Sequence, residues 1–297
     1  MRGMPMSSSS TSGAVLARVA HPLLLLSVVA VFAATVRYSW EPGRVTFLFQ
    51  LATLGALVVL ESLIPYEPAW RPDRREWRWY AVYYALTAVG GALGSALVVF
   101  AVGLLARPDS ILPLGAEIPL ALLLGSLAGY GFHRLGHTNP WLWRLHGVHH
   151  VPEKVNVGNN GVNHIGDILL SQAIVQLALA LVGFSDTAVF GVGLFVVAQG
   201  YLIHANVAVR LGPLNHVFAS PEQHRLHHSA DLAEAGHYGA DLSIWDRAFG
   251  SFTWHPGREP AAVGLADPDS FPGTGAIVAT LVHPLRRRSV RTGETPG

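Results

Sequence analysis

Apolar residues in this chain come in long blocks. Four of them, at roughly 14–36, 45–64, 81–106 and 111–132, are each long enough to cross a hydrocarbon core of about 30 Å as a helix. Two shorter blocks, at roughly 168–184 and 186–204, meet at the turn Gly183-Phe184-Ser185-Asp186 and predict a helical hairpin that either spans or re-enters. Residues 1–13 are serine-rich and predict a disordered lead. Beyond 204 the chain is mostly polar, and its last apolar run is Ala276-Ile277-Val278-Ala279-Thr280-Leu281-Val282, ahead of Arg286-Arg287-Arg288. So short a run cannot span; it predicts either an interfacial anchor on an anionic leaflet or a loose tail. The pattern as a whole predicts an all-α, polytopic membrane helical bundle of four to six spans.

Composition agrees with the pattern. Half of the 297 residues (51%) are apolar and 13% are charged, against roughly 25% charged in soluble proteins. That excludes a disordered chain and an ordinary soluble enzyme. The absence of cysteine excludes thiolate metal sites, iron–sulfur ligation and a cysteine nucleophile. With the N-terminus inside, the outer loops 37–44, 107–110 and 184–186 hold Arg37, Arg44 and Arg107, three of the 20 basic residues. The loop with Arg71, Arg74, Arg75 and Arg78 falls inside, so the positive-inside rule favours this orientation. The first block is long for a signal peptide and contains Arg18 and His21. A net charge of +1 and the lack of a basic stripe speak against a nucleic-acid partner. Nineteen arginines to one lysine, with abundant alanine and glycine, suggest a bacterial source.

Histidine changes the picture. Thirteen of the 15 histidines fall within 133–255, at or beyond the inner ends of the spans. His133 and His137 are four apart, on one helix face. His146, His149 and His150 follow as His-x-x-His-His, a pattern that returns in His224, His227 and His228; His204 ends the last block. Adjacent helical residues point about 100° apart, so each His-His pair can face two metals. Nine imidazoles are too many for one metal, and two metals with four or five nitrogens each would use them all. Imidazole suits iron, zinc, copper and nickel alike. His216 and His255 are isolated and predicted to be non-ligands; His164 and His237 stay open as additional ligands.

Other chemistries find little support. The carboxylate-bridged di-iron bundle needs two Glu-x-x-His motifs, and only Glu234 to His237 fits. No His-Glu-x-x-His, Gly-x-Ser-x-Gly, P-loop or Gly-x-Gly-x-x-Gly occurs. A membrane hydrolase using a histidine-bound zinc pair remains an alternative. A metal transporter would need polar span faces, and the spans carry only Gln50, Glu61, Glu117, Gln172, Gln176 and Gln199. The small residues Gly90, Gly91, Gly94 and Ser95 predict either close helix packing or a groove between spans.

Over about 120–255 the chain resembles the fatty acid hydroxylase superfamily, also called the sterol desaturase family. The resemblance rests on His133-Arg134-Leu135-Gly136-His137, Leu142 to His150, Gln199 to His204-Ala205-Asn206, Ser220-Pro221-Glu222-Gln223-His224-Arg225-Leu226-His227-His228, and Tyr238-Gly239 to Phe252. It implies an integral-membrane di-iron oxygenase that hydroxylates or desaturates a lipid: a fatty acyl chain, sterol, carotenoid or ether lipid. It implies the nine histidines as ligands of two iron ions, O2 as co-substrate, and a cytoplasmic helical cap carrying the dimetal site. It divides the chain into the 1–13 lead, N-terminal spans at 14–110, a catalytic domain at 111–255 and a tail at 256–297. Relatives often show Arg-x-His-Pro where this chain has Asn163-His164, and Asn where it has His237.

Breaking an unactivated C–H bond requires redox chemistry, which zinc lacks. Carboxylates are expected to orient the ligand rings; Glu222, Asp241 and Asp246 are the candidates. The chain has no redox relay of its own, so a ferredoxin, b-type cytochrome or flavoprotein reductase must supply electrons. The predicted address is a bacterial inner membrane, metal side cytoplasmic.

Overall fold

The computed structural model describes residues 11–104, 110 and 112–286. Six long helices form a bundle: α1 (Thr11–Tyr38), α2 (Pro42–Leu63), α3 (Arg74–Gly103), α4 (Leu114–Thr138), α6 (Ile165–Val182) and α7 (Asp186–His204). All six are long and apolar enough to cross a membrane. Leu26, Phe47, Leu51, Val99 and Phe100 face outward from them, a surface that only lipid can cover at low cost. The chain is a multi-pass membrane protein. Among the described residues there are no strands, only isolated bridges such as Pro65 to Val207.

The short helices are α5 (Pro140–His146), α8 (Pro221–His227), α9 (Ile244–Phe249) and α10 (Ile277–Val282). Of the lead expected to be disordered, residues 1–10 lie outside the described residues, while 11–13 belong to α1.

Local chemistry sets the boundaries. α3 begins earlier than its apolar block because Asp73 and Glu76 form a capping box in front of it. α4 continues past its block to Thr138, which places His133 and His137 on a regular helix. Asn139 caps α5 with Pro140 at its first position, so the chain turns at once. Ser220 and Gln223 form a reciprocal capping box around Pro221 and start α8 just before His224. Gly183, at φ 85°, ends α6, and Ser185 caps α7, so these two helices form the hairpin.

Helix α7 is the most buried span and packs against α1, α2 and α4, while α3 lies along α6. The small-residue stripe serves the α3–α6 contact. A Cβ at Gly90 would sit 2.8 Å from the Ile165 carbonyl oxygen, and one at Gly94 2.7 Å from that of Leu169. Ser95 accepts a hydrogen bond from Gln176. The stripe is a packing seam, with no room there for a groove.

The tail returns to the bundle. Gly264 N–H donates to the His228 carbonyl, Phe271 packs its ring against Gly147, and the Tyr83 hydroxyl lies 3.3 Å from Thr280 Oγ1. Residues 262–285 thus form a strap across the histidine-bearing end of the bundle. The loose tail is overturned because its apolar residues have a partner surface, although Val278 and Leu285 stay exposed. Arg287 and Arg288 of the expected basic cluster lie outside the described residues.

Candidate metal centre

The elements at one end of the bundle deliver nine imidazoles to one place. α4 supplies His133 and His137, and α5 supplies His146. The turn after α5 carries His149 and His150, α7 ends in His204, and α8 carries His224 and His227 with His228 as its cap.

These nine sort into two groups: His133, His137, His146, His150 and His227, and His149, His204, His224 and His228. Within each, one ring nitrogen per residue lies within 4.8 Å of the others. Both His-His pairs divide between the groups, and the two groups adjoin where His150 and His228 stack, ring centroids 4.2 Å apart. Eight of the nine rings are buried and His133 nearly so.

The protein fixes the tautomers. Nδ1–H of His133 donates to the Tyr238 carbonyl at 2.6 Å, His149 to Val162 at 3.2 Å, His204 to Asn156 at 2.9 Å and His227 to Gly236 at 2.9 Å. His146 Nδ1 lies 3.1 Å from the Asp167 carboxylate. Each such bond leaves the Nε2 lone pair free for a cation. In the five-histidine group every Nε2 is buried without a hydrogen-bond partner. In the four-histidine group Nε2 of His224 and His228 lie 3.1 Å apart. Adjacent nitrogens on one metal, each about 2.1 Å from it, would be about 3 Å apart. The donor set therefore fits two metal ions, held by nitrogen alone.

Burial, then the neighbouring imidazoles, holds His150, His224 and His228 well below the usual imidazole range; His149 is lowered likewise. Burial brings His227 down to about 3. These rings stay neutral, the form that binds metal.

The model for the fatty acid hydroxylase family matches residues 118–251, a segment containing all nine histidines. The ornithine lipid hydroxylase OlsE of Rhizobium tropici is 32% identical over 257 residues, covering 80% of this chain and 75% of that protein. The chain belongs to the fatty acid hydroxylase family. Other relatives of this family member include alkylglycerol monooxygenases of Danio rerio, 31% identical over 50% of this chain and 33% of the relative, and of Homo sapiens, 30% identical over 47% and 31%. No solved structure matches.

The additional candidates lie elsewhere in this hydroxylase family member. His164 caps α6 with Nδ1 and bonds the Leu281 carbonyl with Nε2, so both nitrogens are occupied. His237 is buried with no hydrogen bond to its ring, packs on Phe252 and is in neither group. His216 stacks on Phe252 and is likewise in neither group.

The three candidate carboxylates bond no ligand ring. Glu222 instead accepts from Leu211 N–H and the Asn215 amide, closing the loop before α8. Asp241 accepts from Ser126 Oγ at 2.5 Å and from Leu242 N–H. Asp246 acts one step away: it accepts from Tyr238 N–H and Gly239 N–H, and the Tyr238 carbonyl in turn holds His133.

The carboxylate that does touch a ring, Asp167, went unnamed in the sequence reading. It is the sole acid of helix α6 and stands in its first turn, directly before the apolar block at 168–184, where an acid at the edge of a span is itself a signal. Asp167→Asn is expected to lower activity about 10–100-fold with membrane insertion unchanged. Turnover measured at matched protein levels checks this, and unchanged turnover would reduce Asp167 to a packing role.

Acid should weaken the metal-free protein. Unfolded histidines protonate near pH 6.5, whereas folded His227 resists until about 3. A lowered folded pKa gives stability that is full above pH 6.5 and lost as pH falls toward 3. The loss is up to ~1.4 kcal/mol per pH unit for each such ring. Thermal unfolding of metal-free protein in detergent should show a midpoint that drops between about pH 7 and 5.

Proposed function

We propose that this protein is a membrane-embedded di-iron oxygenase that hydroxylates a C–H bond of a polar lipid, using O2 and electrons from a separate donor. The observation that carries this is the pair of adjoining, carboxylate-free imidazole groups in a chain whose relatives are lipid oxygenases. His133, His137, His146, His150 and His227 would hold one iron, and His149, His204, His224 and His228 the other. Iron in these groups supplies the O2-dependent oxidation of an unactivated C–H bond.

The chain's own part is binding, orientation and exclusion. Neutral imidazoles leave the metals' charge uncancelled, and Nδ1 hydrogen bonds hold five of the nine rings before a metal arrives. Trp143 and Tyr238 flank the five-histidine group, each 5.3 Å from the His137 ring, and shield it. The named substrates of the relatives, ornithine lipid and alkylglycerol, favour a lipid with a polar head over a sterol or carotenoid. Such a head would rest at the interface while the chain reaches the metals from the bilayer. Arg71, Arg74, Arg75 and Arg78 lie at the metal end, which supports a cytoplasmic site, and a bacterial inner membrane is the membrane we assign. With no cysteine and no nucleotide loop, the electron donor is a ferredoxin, b-type cytochrome or flavoprotein. The zinc hydrolase reading has no support among the relatives.

Lipid profiling of cells with and without the chain tests the reading. A lipid gaining one oxygen atom in an O2-dependent way is expected. Loss of two hydrogens would make the chain a desaturase. Cleaved lipids formed without O2 would sink the proposal.

A further inference from the structure

Helix α2 lies outside the segment matched by the family model, yet its last turn bonds the chain on both sides of the four-histidine group's His204 anchor. Its last turn carries Glu61, the only acid of that helix, buried at 5% exposure. A carboxylate there is costly unless its hydrogen bonds are made, which marks it for a role.

One oxygen of Glu61 makes two such bonds. Oε1 accepts from Val157 N–H at 2.6 Å and from Asn206 N–H at 2.7 Å. Asn206 lies two residues beyond His204. Val157 follows Asn156, whose carbonyl accepts the His204 Nδ1–H at 2.9 Å. The same loop supplies the Val162 carbonyl that holds His149. α3 braces the loop from the other side, with Tyr84 Oη donating to the Val157 carbonyl and Thr87 Oγ1 to that of Gly161.

We propose that Glu61 is a positioning residue for the four-histidine group, joining the loop that anchors His149 and His204 to the chain leaving His204. The proposal rests on that group being a metal site. In the five-histidine group, the Nδ1 partners are Tyr238, Asp167 and Gly236, none of which Glu61 touches. The effect of Glu61 is therefore confined to one metal of the two.

Full-length protein, loaded with ferrous iron in detergent, is assayed for iron per chain and for thermal midpoint. Glu61→Leu is expected to lower iron from about two per chain to about one. Glu61→Gln keeps an oxygen for both N–H groups and should stay near two. Glu117→Leu is the control, because Glu117 is another buried span carboxylate, bonded to Ser185 at the opposite end. If the leucine variant does not accumulate, Glu61→Asp, one methylene too short for both bonds, is expected to show the same selective loss. Two irons retained in Glu61→Leu, or in Glu61→Asp where that variant stands in, would overturn the proposal. Iron lost equally from Glu61→Leu and Glu117→Leu would do the same. Wild-type protein that takes up no iron would overturn the metal reading itself.

Discussion

His227→Ala is expected to abolish lipid oxidation while the chain still inserts and accumulates. His227 sits in the five-histidine group, its Nε2 buried without a partner and its Nδ1–H on the Gly236 carbonyl. Alanine removes one of the nitrogens proposed to hold metal and leaves that carbonyl unpaired. His149→Ala makes the matching test for the four-histidine group, where His149 is held by Val162. Each variant should lose iron chiefly from its own group, and either should stop turnover if both metals are required. Because the rings lie at one end of the bundle and the spans are packed elsewhere, membrane insertion should survive. Wild-type turnover in either variant would remove that histidine from the site.

Removing residues 262–297 is expected to have the second-largest effect. The strap packs on the segments that carry both groups. Gly264 bonds the carbonyl of His228, the Phe271 ring meets Gly147 beside His146, and the Leu281 carbonyl binds His164 at the start of α6. A Cβ on Gly147 would come within 2.3 Å of the Phe271 ring, so the strap is seated closely. Without it, water reaches groups that depend on its exclusion, and both iron retention and turnover should fall. Phe271→Ala is the milder form, leaving a cavity that costs about 3–5 kcal/mol of docking. Faster chelator extraction of iron, graded from Phe271→Ala to the deletion, checks the account. Equal extraction rates in all three proteins would contradict it.

The spans were legible because a hydrophobic block of about 20 residues has few other uses. The histidines were legible because offsets of three, four and one are visible in the sequence, and the offset of one already separates His149 from His150. Contacts made through the backbone were not legible. The partners of His133, His149, His204 and His227 are carbonyls of Tyr238, Val162, Asn156 and Gly236, groups that every residue possesses. Glu61 stood out as a polar residue within a span, but its partners are two N–H groups with no sequence signature. Nearness in sequence misled for Glu222 and Asp241, which lie beside histidine motifs yet face away from the rings. The strap was missed because a short apolar run before arginines looks the same whether it meets lipid or protein.

The strap's place in the chain also orders events during synthesis. The ninth imidazole, His228, emerges from the ribosome before any of the strap. At roughly 5–20 residues per second, several seconds separate that moment from the emergence of α10. During that interval a chain carries all nine rings without the residues that bond the His228 carbonyl and pack on Gly147. The strap is thus the last part of the histidine end to be made, and a chain cut short before it would hold the full set of nine imidazoles with that face uncovered.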